Sequence, residues 1–324
     1  MNNILIGAVA SIVICLVTTP VLIPFLRRLK FGQSIREEGP SWHRVKSGTP
    51  TMGGITMIVA SVLSTVFVTM ITSGVDYEMA ILVLTAVLYG AIGFVDDFIK
   101  VVMKRNLGLS AKAKFLAQLF VAIVSTVALN YLGYLNGEII IPFVDKMVDI
   151  GLFIIPFVVF VHLSMVNSVN LTDGLDGLAA TVTLIVGIFL TVVAYIMGET
   201  LIAVFIGAVS GSCLAFLFFN AHPAKVFMGD TGSLFLGGAV AVAAVALKLP
   251  LILIIVGGVY LVETLSVIIQ VTSFKLTGKR IFKMSPIHHH FEMCGWRETK
   301  IVTCFSLVTL ILCVVAFVSI MGVF

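Results

Sequence analysis

The stretch MAILVLTAVLYGAIGFVDDFIK, residues 79–100, decides the fold. From Met79 to Val95 it holds no charged residue, and then Asp96 and Asp97 follow side by side. A helix crossing about 30 Å of hydrocarbon needs about 20 predominantly apolar residues, and it satisfies its own backbone N–H and C=O groups. This run has that length. Its two carboxylates fall where the chain would leave the membrane.

Working outward, the same texture recurs along all 324 residues, which are 60% hydrophobic and 11% charged with a mean hydropathy of +1.17. That composition excludes an ordinary soluble domain. Ten spans are predicted, at 4–26, 53–71, 79–95, 115–132, 150–166, 178–197, 201–219, 233–247, 249–269 and 301–323. The chain therefore reads as an all-α polytopic membrane protein, one integral membrane domain over 1–324. The first span reads as a retained helix: MNN carries no basic region, and RRLK follows the apolar run in place of a small-residue cleavage site.

Of the 20 Lys and Arg residues, 18 fall in connections after odd-numbered spans, and only Lys146 and Lys248 lie on the other side. Because basic loops stay in the cytoplasm, both termini are expected outside it. Such a cationic face suits anionic headgroups or a phosphorylated soluble substrate. The five cysteines form no CxxC pair, so neither a disulfide nor a thiolate metal site is expected. In the outer segment YLGYLNGEIIIPFVD, residues 131–145, the Asn136-Gly137 turn signal between β-prone stretches predicts a small hairpin.

Four cytoplasmic segments hold the chemistry-bearing residues. At the end of the third span, Asp96 and Asp97 serve either as an interfacial stop, with Lys100 pairing to Asp96 at i, i+4, or as a functional pair. Helical neighbours point about 100° apart, so a functional pair would divide into two roles. In NSVNLTDGLDGLAA (167–180), Asn167, Asn170 and Asp173 share a stripe, and Gly174 and Gly177 allow tight turns beside Asp173 and Asp176. That is a ligand loop or a polar interhelical seam; the EF-hand spacing is missing.

In FNAHPAKVFMGDTGS (219–233) the GK[ST] ending of a phosphate loop is absent. Asp230 stands just before the eighth span, whose N-terminal dipole favours phosphate nearby, and there it would hold a cation; plain N-capping by Asp230, Thr231 or Ser233 is the alternative. In KMSPIHHHFEMCGW (283–296), His288, His289 and His290 form either a surface cluster or hydrogen-bonding groups for an anionic substrate. Consecutive helical histidines do not converge on one zinc ion. Carboxylates, a hard cation, basic groups and a diphosphate together describe phosphoryl transfer.

The segments GTPTMGG (48–54), DDFIK (96–100), NLGLSAKAK (106–114), NLTDGLDGLA (170–179), FNAHPAKVFMGDTGS (219–233) and PIHHHFEMCGW (286–296) resemble those of the polyprenyl-phosphate N-acetylhexosamine-1-phosphate transferases. PIHHHFE is similar to the muramoyl-pentapeptide branch of that family. The resemblance implies a homodimeric ten-helix enzyme of the bacterial cytoplasmic (inner) membrane. It would pass phospho-MurNAc-pentapeptide from UDP-MurNAc-pentapeptide to undecaprenyl phosphate, release UMP and require Mg2+; no nucleic-acid partner is implied.

By motif position the resemblance makes Asp230 the metal ligand, Asp96 and Asp97 acid/base or nucleophile candidates, and His289 a further catalytic residue. It sets Lys46, Asn170, Asp173, Asp176 and Phe227 at the uridine end, and Asn220, Lys112 and Lys114 toward phosphates. His288 and His290 would face the diphosphate or sugar, remote in sequence from the uridine end, while Thr51, Lys100 and Asn167 complete the substrate-binding set. A sister transferase taking UDP-GlcNAc is the near alternative. An anionic-solute transporter is the distant one, favoured by Glu263 and His162 inside apolar spans.

Overall fold

The structure, a computed structural model, describes residues 1–28, 48–72, 74, 76–101, 103, 108–144 and 146–323. Among these are ten helices long and apolar enough to cross a membrane. They are α1 Asn2–Arg28, α2 Gly54–Thr72, α3 Tyr77–Val101, α4 Ala111–Tyr131, α5 Ile154–Thr172, α6 Leu178–Ile196, α7 Thr200–Asn220, α8 Gly229–Ala246, α10 Gly258–Thr277 and α12 Glu298–Ser319. Two short helices, α9 Ile252–Val256 and α11 Ile287–Met293, complete the set.

Three boundaries differ from the sequence reading in ways that matter. Helix α3 continues to Val101, so Asp96, Asp97 and Lys100 are helical; Lys100 pairs back to Asp96 one turn earlier. Helix α5 continues to Thr172 and carries Asn167 and Asn170 into the same layer. The expected ninth span is broken at Gly257, whose φ of −88° and ψ of 17° leave the helical range while its N–H closes α9 on the Leu253 carbonyl.

The core lies around α8, where every residue from Thr231 to Ala246 is buried. A helix apolar on all faces and rich in Gly and Ala can be surrounded closely by other helices. Gly93 of α3 shows how closely: a Cβ there would lie 2.1 Å from the Asp230 carbonyl oxygen. Only glycine permits that crossing. Asp97 stands one turn further along the same face of α3, and so meets the first turn of α8.

The predicted hairpin exists, with its turn elsewhere. Strands β1 Glu138–Ile141 and β2 Lys146–Asp149 pair antiparallel, Glu138 opposite Asp149 and Ile141 opposite Lys146. The chain reverses after Ile141 rather than at Asn136-Gly137. Pro142 has no N–H to extend the ladder, and Phe143 takes a positive φ of 67°. Asn136-Gly137 closes the base instead, the Gly137 carbonyl accepting from Ile150 N at 2.9 Å. Hydrogen bonds from the Asn136 amide and the Lys248 ammonium hold the Glu138 carboxyl below its usual range. Ile140 N donates to Lys248 O at 3.0 Å and Phe143 N to Ser319 O at 2.7 Å, so the hairpin lies at the far end of α8 from Asp230.

Candidate active site

The first-turn N–H groups of α8 have no partner within that helix. Asp97 of α3 supplies one, accepting from Asp230 N at 3.2 Å, Thr231 N at 2.9 Å and Thr231 Oγ1 at 2.7 Å. The alternative of plain N-capping by Asp230, Thr231 or Ser233 is not what the fold uses: α8 takes no cap bond from its own side chains, and a carboxylate of α3 meets its positive end.

With its backbone held this way, Asp230 presents its carboxylate elsewhere. Oδ2 accepts from Lys100 Nζ and Lys114 Nζ, each at 2.8 Å, and Oδ1 from Asn170 Nδ2 at 2.9 Å. The Asn170 amide also reaches Ser233 Oγ at 2.8 Å. Asp96 diverges from Asp97, as helical neighbours must: it accepts from Leu109 N at 2.7 Å and pairs with Lys100 Nζ at 2.5 Å, with Lys114 Nζ at 3.9 Å. One adjacent aspartate anchors α8 and the other anchors the entry to α4.

An oxygen from each of Asp96, Asp97 and Asp230 lies within 4.8 Å of the others. In formal charge, three carboxylates against the two ammoniums of Lys100 and Lys114 leave one negative charge in excess. An all-oxygen donor set with residual negative charge fits a hard divalent cation of the Mg2+ class.

Other expected residues fall around this centre in distinct ways. A Cβ on Gly229 would meet both Asp97 Oδ2 and Thr51 Oγ1, which puts Thr51 at the same helix start. Phe227 is partly exposed, in a segment that pairs with residues 50–53: Phe227 N donates to Pro50 O and Gly53 N to Phe227 O, both at 2.8 Å. Asn167 bonds Gln118 Oε1 of α4 at 2.8 Å, making the polar seam named as an alternative. Asp173 follows α5 as its C-terminal cap residue. Lys112 is exposed and is not among the groups on Asp230, while Lys46 lies outside the described residues.

Asn220 is buried, its Oδ1 accepting from Gly177 N at 3.1 Å and its Nδ2 donating to Val226 O at 2.9 Å. Its side chain joins two loops. Asp176 is buried as well, with Oδ2 accepting from Ala224 N at 3.0 Å and lying 3.1 Å from His222 Nδ1.

The three histidines diverge. His288 Nδ1 lies 2.9 Å from Glu263 Oε2, both side chains being fully buried, and His289 Nδ1 lies 2.6 Å from Glu292 Oε2. His290 Nδ1 accepts from Lys283 N at 3.1 Å. A Cβ on Gly174 would fall 2.1 Å from His288 Nε2, so the ring rests against the loop that carries Asp173 and Asp176. Distance along the chain had separated the histidine segment from that loop; the fold does not. Glu263, which favoured a transport path, is the partner of His288. His162 stacks on Tyr89, ring centroids 6.0 Å apart, between α5 and α3. Glu298 and His222 carry no local signal that assigns them a part, although His222 lies inside FNAHPAKVFMGDTGS.

A bundle of apolar helices thus closes at one end on a cationic and carboxylate centre, and comparison with known proteins gives the class: a membrane transferase. The profile of Glycosyl transferase family 4 matches residues 79–248. Similar proteins named phospho-N-acetylmuramoyl-pentapeptide-transferase occur in Clostridium novyi (strain NT), 51% identical over 98% of this chain and 97% of that protein, and in Thermoanaerobacter sp. (strain X514), 52% identical over 98% and 99%. One in Clostridium perfringens (strain 13 / Type A) is 50% identical over 98% of each. The chain belongs to the phospho-N-acetylmuramoyl-pentapeptide-transferase family.

Proposed function

We propose that this chain transfers phospho-MurNAc-pentapeptide from its UDP carrier to undecaprenyl phosphate, giving the lipid-linked sugar of peptidoglycan synthesis and UMP. The observation that carries the site assignment is the convergence of Lys100, Lys114 and Asn170 on the Asp230 carboxylate, beside Asp96 and Asp97. The membrane setting follows from ten apolar helices. On this reading the site faces the cytoplasm, both termini lie outside, and the protein works as a homodimer in the bacterial cytoplasmic membrane.

A lipid phosphate oxygen attacks the sugar-bearing phosphorus of the donor. The new P–O bond forms as the bond to the bridging oxygen breaks, and UMP leaves with that electron pair. A phosphate monoester has its second pKa near 6 and is largely dianionic at neutral pH, so the acceptor hardly needs a base. Lys100 and Lys114 hold non-bridging oxygens once a diphosphate enters, Asp96 keeps Lys100 in place, and Asp97 fixes the helix start that aims Asp230. A Mg2+ ion, held by Asp230 with Asp96 and Asp97 at hand, would supply charge neutralisation at the diphosphate. Phe227, Asp173 and Asp176 form the uridine end, and His289 serves the sugar or diphosphate.

The test is UMP release by purified protein with undecaprenyl phosphate and defined UDP-sugars. Release from UDP-MurNAc-pentapeptide and not from UDP-GlcNAc is expected; the reverse would move the protein to the sister activity. Inversion at the transferred phosphorus is expected for one displacement, and retention would overturn direct attack.

A further inference from the structure

Three chain segments that the sequence keeps apart meet at one imidazole. His222, in the loop before α8, places Nδ1 3.1 Å from Asp176 Oδ2 and 3.3 Å from Glu298 Oε2. Glu298 opens α12, and its other oxygen accepts from Asp176 N at 2.5 Å. Asp176 Oδ2 also accepts from Ala224 N at 3.0 Å. The 173–177 loop, the 221–228 loop and the first turn of α12 are thus fastened together. Asn220 adds a second tie between the same two loops, through Gly177 N and Val226 O.

The two fastened loops carry Asp173, Asp176 and Phe227. These contacts of Glu298 and His222 lie outside the Asp230 cluster. Both oxygens of Glu298 are engaged by protein groups, so this carboxylate is built in as a support. A nucleotide pocket formed by two loops binds well only where the loops are already held, because ordering them on binding would cost affinity. We infer that Glu298 and His222 are positioning residues for the nucleotide end of the site: they hold Asp176 and the Phe227 loop in register, and so set affinity for the UDP-linked donor without acting in the chemical step.

This inference rests on the transferase reading above, and the experiment keeps the two separable. With full-length protein in nanodiscs, UMP release is measured while UDP-MurNAc-pentapeptide and undecaprenyl phosphate are varied in turn, and UMP binding is measured by calorimetry. Glu298→Ala is expected to raise the donor KM and weaken UMP binding by about tenfold, the usual scale for losing a charge-assisted hydrogen bond. Its kcat and lipid-phosphate KM are expected to stay within about threefold, the pattern of an interaction made equally in the ground and transition states. Glu298→Gln keeps an acceptor for Asp176 N–H and should recover much of the affinity. Glu298→Ala combined with His222→Ala should be little worse than the worse single variant, because both remove one coupled unit.

A donor KM within about twofold of wild type in Glu298→Ala, an equal rise in both KM values, or a fall in kcat at unchanged KM would each overturn the inference. If Glu298→Ala does not fold, Glu298→Gln and His222→Gln carry the same comparison through smaller losses. Absence of UMP release by the wild-type protein would sink the transferase reading. The calorimetric comparison would still decide the clamp.

Discussion

Asp97 caps a helix it does not belong to, its Oδ2 taking both the Thr231 N–H at 2.9 Å and the Thr231 hydroxyl at 2.7 Å. Oδ1 takes Asp230 N, so both carboxylate oxygens act as acceptors for the start of α8. An aspartate held this way has its orientation fixed by the helix start and its oxygens made less nucleophilic by the bonds they accept. The geometry therefore favours a supporting part for Asp97.

Asp97→Asn tests that part, because asparagine exchanges one acceptor for an NH2 facing backbone donors. A destabilisation of about 1–3 kcal/mol is expected, with loss of UMP release, since an unsatisfied buried donor costs that much. Thr231→Val removes only the hydroxyl bond and should cost about 1 kcal/mol with milder loss of rate. Thermal unfolding in detergent is the measurement. An Asp97→Asn protein with wild-type stability and abolished turnover would return Asp97 to the role of base or nucleophile.

Gly174→Ala is expected to be strongly disruptive, for a reason that chain distance hides. The new Cβ would fall 2.1 Å from His288 Nε2, and the ring has little freedom to retreat because it is buried and bound to Glu263 at 2.9 Å. Overpacking of this kind costs about 1–3 kcal/mol. The double variant Gly174→Ala with His288→Ala removes the opposing atom, so its stability should equal that of His288→Ala alone. Additive losses would mean that the two residues do not touch.

The spans and the polar segments were legible because hydropathy is a local property, and ten runs of about 20 apolar residues are hard to misread. Partners were not. That Asp97 would serve Thr231 depends on the close crossing at Gly93, and that Glu263 would serve His288 depends on how α11 folds back against α10; neither is a local pattern. Asn220 resembled a phosphate ligand by motif position, yet its amide is occupied by two loop backbones. Asn136-Gly137 failed as the hairpin turn because a stronger local constraint, Pro142, stands at the other end of β1.

The side on which this site opens is tested by labelling. Lys146→Cys and Lys248→Cys, at the hairpin end, should react with an impermeant thiol reagent added to intact cells, and native Cys294 should not. Cys294 is exposed in the fold, so its protection would come from the membrane and not from burial. Labelling of Cys294 at the rate of Lys146→Cys would reverse the orientation and leave the site away from its nucleotide substrate.

Asp230→Asn should nearly abolish transfer while leaving the fold intact. The introduced amide would still accept from a lysine, and the Asp97 cap would persist, since it uses backbone N–H groups and Thr231. The change therefore removes a charge together with one acceptor, its NH2 facing the lysines or the Asn170 amide, at a centre apart from the helix cap. In the wild type three carboxylates face two ammoniums; with asparagine the cluster is neutral and loses its residual attraction for a divalent cation. A loss of about 4 kcal/mol of transition-state stabilisation corresponds to about a thousandfold in rate. Chelation of the wild-type protein should stop UMP release, and Mg2+ should restore it. In the variant, excess Mg2+ should recover part of the rate, with half-saturation shifted upward, because weakened occupancy is the main defect. Initial rate against Mg2+ concentration for both proteins decides the matter, and an Asp230→Asn protein with near-normal rate and unchanged Mg2+ dependence would remove Asp230 as the ligand.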